Sequence, residues 1–429
     1  MHHLLVSSPS EQLPLYLGPQ LPRWLPRTTG DVQAALDDGS LTERRWVDAE
    51  ASYATTDSAN KEMARDLSSF AIYGGALLIG VSEPEPGRFM VSGVQLAGLG
   101  ERVERVARTR CDPPLYVVCH PLEDPADRSR GVLLVEIPPS PIAPHMVDGR
   151  YHGRGDTTKD KLTDEEVARL HAVRSTRQFT AEQVLARELA RDPVPAEHRQ
   201  LSHIVVVAEP LASPPDLLTE MIGTSRLTDL VGAVPARVPR SMQVRPNWDY
   251  LARFNEPRAD GAGFASYGVF GRQLMVGMPD AEEQNVLDLE VSDAGRITLF
   301  AGGGSALPAN AKADVQVLRE AAALVLARQV VVLAGDIGAT TGYAGRWMLA
   351  LGISDTLGKV SSDGETALVM GRLTVPFSAS QYVQGTEAVT VELRERPGAV
   401  TRRLATRLIR GLGVGNGQHD RLLADLPAR

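Results

Sequence analysis

Asp48 and Glu50 stand two residues apart in the run ERRWVDAE, residues 43–50. In an extended segment alternate side chains point to opposite faces, so these two carboxylates share one face with Trp46, while Val47 and Ala49 take the other. Glu43 lies five positions before Asp48, an odd separation, and joins that face only from the preceding turn or through a bulge. Acids gathered in this way suit Mg²⁺ or Mn²⁺, hard cations that take carboxylate and water oxygens. A bound ion of this kind activates water or steadies the charge on a phosphodiester. The same acids also fit a solvated strand face paired with Arg44, Arg45 or Lys61.

Cations form two groups. Arg102, Arg105 and Arg108 recur every third residue, with Arg110 following, and Val103, Val106 and Ala107 fall on the other side of the same helical pattern. Such a stripe meets a phosphate backbone or is ordinary surface, and Glu101 and Glu104 neutralise part of it. Arg150, His152, Arg154, Lys159 and Lys161 are denser, and Tyr151 among them offers a flat ring on which a base can stack.

Other chemistry finds less support. The runs Gly302–Ser305 and Gly335–Gly342 could offer backbone N–H groups to a phosphate, but neither ends in the GK[ST] that supplies lysine and a Mg²⁺-binding hydroxyl. They read better as turns that end helices. The chain has no GxSxG, HExxH or CxxC. Its two cysteines, Cys111 and Cys119, lack the second close pair that a zinc site requires and read as buried or half-buried strand residues.

The net charge of -8 argues against a protein that grips nucleic acid by bulk electrostatics. Residues 1–177 hold 20 Lys and Arg against 25 Asp and Glu, so any phosphate-binding patch there must be local. A chain of 429 residues suggests two or three domains. No run approaches the eighteen or so consecutive apolar residues of a membrane span. The start MHHLLVSSPS has no cationic segment followed by an apolar block, so the expectation is a cytoplasmic protein with no membrane partner.

Helical and strand periods place these groups. Residues 1–40 read as a Pro- and Leu-rich arm lying on a neighbouring surface, with a short helix over 31–36 that ends near Gly39. Residues 41–177 read as a mixed domain: the opening strand, a helix capped by Asp57 or Ser58 and stopped at Gly74-Gly75, the buried strand ALLIGV, the helix GERVERVARTR, further strands, and a hairpin turning at Asp148-Gly149. The box Thr163–Glu166 opens its last helix. A linking helix fills 178–199. Residues 200–429 form a second α+β region whose strand candidates are HIVVVAEP, GFASYGVFG, RQLMVGM, VLDLEV and RITLFAG, with helices over 314–332 and 400–412. The fold class is therefore α+β in two modules.

From about Glu43 to Arg174 the order of pieces resembles the AlbA-like domain of the Schlafen family, also called a divergent AAA-type domain. The carrying residues are Glu43 to Asp48, Ser69-Phe70-Ala71 with Gly74 to Val81, Asp112-Pro113-Pro114, Val135 to Pro141 before Pro144-His145, and Tyr151 to Thr158. The resemblance covers about 130 residues and implies nucleic-acid binding, to structured or single-stranded RNA above all, or to DNA. Some relatives are metal-dependent endoribonucleases with two acids in the opening strand and one after the next. Carried over, these fall on Glu43, Asp48 and, one place late, Glu83, which would hold Mg²⁺ or Mn²⁺. Arg44, Glu50 and Ile72 depart from the family's usual Ser, Lys and Asn, and the lost lysine removes a charge that could hold a phosphate. The alternatives are a non-catalytic regulator or scaffold with a degenerate site, or an ATP binder.

Overall fold

In the computed structural model the run GALLI forms a strand buried at every position, because both of its faces are covered. The structure describes residues 14–15, 17, 24–41, 45–155, 158–177, 180–213, 217–219, 221–222, 224–238, 254–257, 263–267, 283–307, 316–362, 375–414 and 420–424. The chain is α+β. By its internal contacts it divides into Met1–Gln178 with Ala339–Gly345, and Phe179–Gly338 with Arg346–Arg429.

The first unit contains α1 (Thr29–Asp37), β1 (Val47–Glu50), α2 (Asp57–Phe70), β2 (Gly75–Ile79), β3 (Val81–Glu85), β4 (Arg88–Val91), β5 (Val94–Gln95), α3 (Leu99–Arg110), β6 (Val118–Glu123), β7 (Arg130–Ile137), β8 (Met146–Val147), β9 (Arg150–Arg154), β10 (Lys159–Lys161) and α4 (Asp164–Arg177). Its main sheet runs β1-β2-β7, with β5 and β6 both paired to β7. β1 and β2 are parallel, joined through α2, and the other pairs are antiparallel.

The strand period of two sorts the core. Leu77, Ile79, Leu133, Val135 and Ile137 pack with Met63, Leu67 and Phe70 of α2 and Val103 and Val106 of α3. Ala76, Leu78, Val132 and Leu134 face the other way, onto Leu15, Leu17, Val32 and Leu41. Leu15 and Leu17 of the N-terminal arm thus belong to this core, and Leu15 pairs with Trp24 by two backbone hydrogen bonds. Val47 and Ala49 join this second face, which leaves Asp48 and Glu50 on the helix-covered side at the sheet's β1 end.

Local signals set the boundaries. α1 begins before Asp31 because Thr28 caps it in a reciprocal box with Asp31. α2 is capped by Thr56, one place ahead of the expected Asp57. Gly75 has no room for a side chain: a Cβ there would lie 2.3 Å from the Phe70 ring and 2.8 Å from the Trp46 carbonyl. Asp148 and Gly149, both at positive φ, make the two-residue turn between β8 and β9. Thr163 and Glu166 cap α4 as expected. Cys119 lies half-buried on β6, but Cys111 ends α3 rather than sitting in a strand; neither is paired, and burial pushes both thiols up to about 12.

The second unit contains α5 (Ala181–Ala190), β11 (Ile204–Pro210), α6 (Ser225–Ala233), β12 (Phe254–Pro257), β13 (Gly263–Tyr267), β14 (Leu287–Ser292), β15 (Ile297–Ala301), β16 (Ser305–Ala306), β17 (Val317–Leu318), α7 (Glu320–Thr341), β18 (Arg346–Ile353), β19 (Val360–Ser361), β20 (Tyr382–Val389), α8 (Thr390–Glu395), α9 (Pro397–Gly411) and α10 (Asp420–Leu423). One antiparallel sheet runs β12-β13-β14-β15-β11-β18-β20. The expected strand RQLMVGM lies outside the described residues.

α7 starts at Glu320, later than expected, where its carboxylate accepts from the Ser362 N–H and hydroxyl, and it continues through Gly335 and Gly338 to Thr341. Gly342, at φ 70°, ends it. Gly335 is an interior residue at a close approach, where a Cβ would meet the Arg394 stem at 3.1 Å. By length and mean hydropathy α7 passes for a membrane span, although Arg328 and Asp336 interrupt its apolar run. Ninety-four per cent of that stretch is buried inside the protein, so it is a core helix.

Candidate functional site

Asp48 and Glu50 face Asp66, which α2 brings beneath them on the same side as Met63 and Phe70. Asp66 is fully buried. Its Oδ2 accepts the Tyr53 hydroxyl at 2.6 Å, and its Oδ1 accepts from Lys159 Nζ on β10. Arg154, at the end of β9, donates from Nη1 to Asp48 Oδ2 at 2.6 Å and lies 4.5 Å above the Phe70 ring. The cluster therefore unites β1, the loop after it, α2 and the β9–β10 hairpin.

Its charges do not balance. Three carboxyls, Asp48, Glu62 and Asp66, act on that of Glu50, against the two cations Arg154 and Lys159 of the cluster. Half-buried Glu50 carries the excess. Burial, and then the charges of Asp66, Asp48 and Glu62, push its carboxyl up to about 7, with Lys159 opposing. Burial also raises Asp66, against the pull of Lys159 and Tyr53. Tyr53 is driven far above the usual phenol range by burial and by the Asp66 carboxylate it bonds.

The hairpin concentrates positive charge nearby. His152 lies opposite Lys161 on the paired strand and two residues from Arg150, while Arg65 of α2 reaches Asp148 at the hairpin turn, 3.4 Å away. His152 is 7% exposed, and its Nε2 has no hydrogen-bond partner. Burial, then the charges of Arg65, Lys159, Lys161 and Arg150, hold its imidazole below the ordinary value and so neutral. Four cations thus act on one buried ring.

The residues expected from sequence divide among several roles. Glu43 lies outside the described residues. Asp48 is in the cluster. Glu83 is exposed on the β3–β4 hairpin, where its Oε1 accepts the Gly87 N–H at 2.6 Å. Among the described residues no three His, Cys, Asp or Glu side chains gather closely enough to hold a metal ion. An oxygen of Asp48 and one of Asp66 are held by Arg154 and Lys159.

Arg102 is a clamp rather than a free cation: it binds the carbonyls of Tyr53 and Ala54 and the Asn60 amide oxygen, fixing the loop that carries Tyr53. Arg105 and Arg108 are exposed, whereas Arg110 pairs with Asp57. Tyr151 is half-buried with its ring edge against His171, centroids 5.8 Å apart, and Arg150 and Lys161 are exposed.

Sequence reading missed Asp66 and Tyr53. The signal for Asp66 was a carboxylate three residues after Met63 and one before Leu67, inside the apolar stripe of α2. Tyr53 offered none beyond its nearness to Glu50.

No protein-family model matches the chain, and no curated protein matches it.

Proposed function

We propose that the chain binds nucleic acid, RNA above all, through the hairpin of β8, β9 and β10. The observation that carries this reading is the set of four cations, Arg65, Arg150, Lys159 and Lys161, near buried His152, whose Nε2 has no hydrogen-bond partner. Among the described residues Lys159 and Arg65 have acidic partners, Asp66 and Asp148, and Arg150 and Lys161 have none, which leaves their charge for phosphate. In an acidic chain such a concentration gives local attraction where the whole molecule repels. The resemblance to the Schlafen AlbA-like domain supports the same reading through the stretch Tyr151 to Thr158.

Fluorescence anisotropy with single-stranded RNA, hairpin RNA and duplex DNA, from about 50 to about 200 mM salt, tests it. RNA affinity should fall with salt, and Arg150→Glu with Lys161→Glu should weaken it at least tenfold. Salt-independent binding, or a variant that binds as well as the parent, overturns it.

A second reading, cleavage of the bound strand, is favoured by Glu50. A carboxyl titrating at about 7 is suited to exchanging protons with a ribose hydroxyl at neutral pH. Arg154 and Lys159 beside it can steady charge on phosphorus. Assistance by Mg²⁺ or Mn²⁺ belongs to this reading only if the ion displaces those two cations from Asp48 and Asp66. Cleavage of transfer RNA in chelator and in Mn²⁺ separates the routes, and Glu50→Gln that cuts as fast as the parent in both removes the reading.

A further inference from the structure

The second unit carries its own cationic face. Residues 390–414 hold six arginines and no lysine against Glu392 and Glu395, in a chain of net charge -8. α9 buries Val400, Leu404, Ala405 and Leu408, which turns Arg402, Arg403, Arg407 and Arg410 outward, and Arg396 just ahead of the helix is also exposed.

These cations are unequally engaged. Arg403 pairs with Glu392 at 2.6 Å and donates to the Glu387 carbonyl of β20, the edge strand, so it has a structural partner. Among the described residues Arg402 reaches only the Leu423 carbonyl, and Arg407 only the Gln384 amide oxygen at 3.4 Å. Arg396 and Arg410 meet no carboxylate among the described residues. Arg403, Arg407 and Arg410 follow one another at four and three residues, so they line one stripe, and Arg396 extends it to about 21 Å at ~1.5 Å per residue.

The composition of that face selects the partner. A helix that lies on a membrane presents large apolar side chains beside its cations. Among the described residues the exposed large apolar ones are Tyr73, Met90, Leu307, Leu357 and Val375, none of them on α9. Guanidinium forks without apolar anchors suit phosphate oxygens, which they bind in pairs of hydrogen bonds. We propose that Arg396, Arg407 and Arg410 form a phosphate-backbone surface on the second unit, so that the protein contacts nucleic acid there independently of the β8–β10 hairpin.

The test uses the full chain with single-stranded RNA, duplex RNA and duplex DNA, and separately with vesicles of phosphatidylserine and phosphatidylcholine. Arg407→Glu with Arg410→Glu should weaken nucleic-acid binding tenfold or more and lower the salt dependence by about two phosphate contacts. Arg407→Gln with Arg410→Gln, the milder change, should weaken it about threefold with an unchanged melting temperature, and decides the matter if the glutamates impair folding. Equal affinity and salt slope in parent and glutamine variant, or binding to the anionic vesicles without binding to nucleic acid, overturns the proposal. Loss in the hairpin variant alone sinks this surface and leaves the hairpin reading. Loss in the α9 variants alone does the reverse.

Discussion

Arg154 Nη1 lies 2.6 Å from Asp48 Oδ2, joining residues 106 apart in the chain and tying the β9–β10 hairpin to the edge of the sheet. Both side chains are largely buried, 7% and 16% exposed, so each relies on the other's charge to replace the hydration it has lost. Arg154→Ala should therefore cost about 3 kcal/mol, the price of stranding a buried carboxylate. Asp48→Leu with Arg154→Met should cost less than the sum of the two single changes. Chemical denaturation followed at the transition of the first unit measures both, and additive losses would show that the pair is not coupled.

Glu50 makes the first unit sensitive to pH. Its folded value, about 7, lies above the unfolded carboxyl value, so the folded state holds the proton more tightly. Its contribution to stability is present in full below the unfolded pKa and is lost as pH rises from there to about 7. The carboxyl is only half buried, and after discounting for solvent the loss is about 1–2 kcal/mol. Glu50→Gln should be near neutral at about pH 4 and stabilising at about pH 8, and melting curves at the two values check it. Equal effects at both would remove Glu50 as the titrating group.

The orientation of this cluster was legible where a short period governs it. Alternation alone put Asp48 and Glu50 on one face and Val47 and Ala49 on the other, and the structure keeps that division. The Asp148-Gly149 turn was equally readable, since few residues tolerate two positive φ values in succession. Pairing over long separations was not. Arg102, Arg154 and Lys159 look in sequence like three free cations, and their partners at Tyr53, Asp48 and Asp66 are set only when the sheet and α2 assemble. β18, RWMLALGI, was missed although, like ALLIGV, it is a short continuous apolar run with both sheet faces covered.

Gly75 is the tightest point between β1, α2 and β2. A methyl group there would overlap the Phe70 ring, which could turn, but also the Trp46 carbonyl at 2.8 Å, which is backbone and accepts from the Ala76 N–H. Gly75→Ala should therefore cost at least about 2 kcal/mol by pushing β1 from β2. Gly87→Ala, at a turn with open space around it, should show only the smaller cost of its positive φ. Comparable melting temperatures for the two variants would contradict the steric account.

Lys359 is the polar counterpart in the second unit. Its buried ammonium donates to Ser202 Oγ at 3.0 Å, Ser305 Oγ at 3.3 Å and Asp355 Oδ2 at 2.9 Å, using all three hydrogens. Ser202 in turn donates to the Asp355 carbonyl, and Ser305 to Gln316. Because each hydroxyl already has another partner, Lys359→Met should cost about 2 kcal/mol rather than unfold the unit. A loss under about 0.5 kcal/mol in denaturant melts would mean that the ammonium contributes no net stability.

His203 should set an upper pH limit on the same unit. Its ring is fully buried, and burial by itself would lower its pKa. Bonds of 2.6 Å to Asp192 and 2.7 Å to Glu283 overcome that and raise it. Arg199 also touches Asp192, at 3.3 Å, and the Gln200 and Leu201 amides donate to Glu283, so both carboxylates are held in place. A histidine raised on folding contributes stability in full below the unfolded value of about 6.5, and that contribution is lost as pH climbs through the folded value. Glu283 has the opposite sign. Burial would raise it, but the bonds from His203 and the two amides depress it, so its contribution is present above about 4.5 and is lost as pH falls through the folded value. The unit should be most stable between these limits, near pH 5–6, and His203→Gln should remove the decline on the alkaline side while lowering stability at about pH 6. Melting temperatures at about pH 6 and about pH 9 read this directly. A parent protein no less stable at the higher pH, or a variant that keeps the same slope, would show that the imidazolium is not what holds Asp192 and Glu283 together.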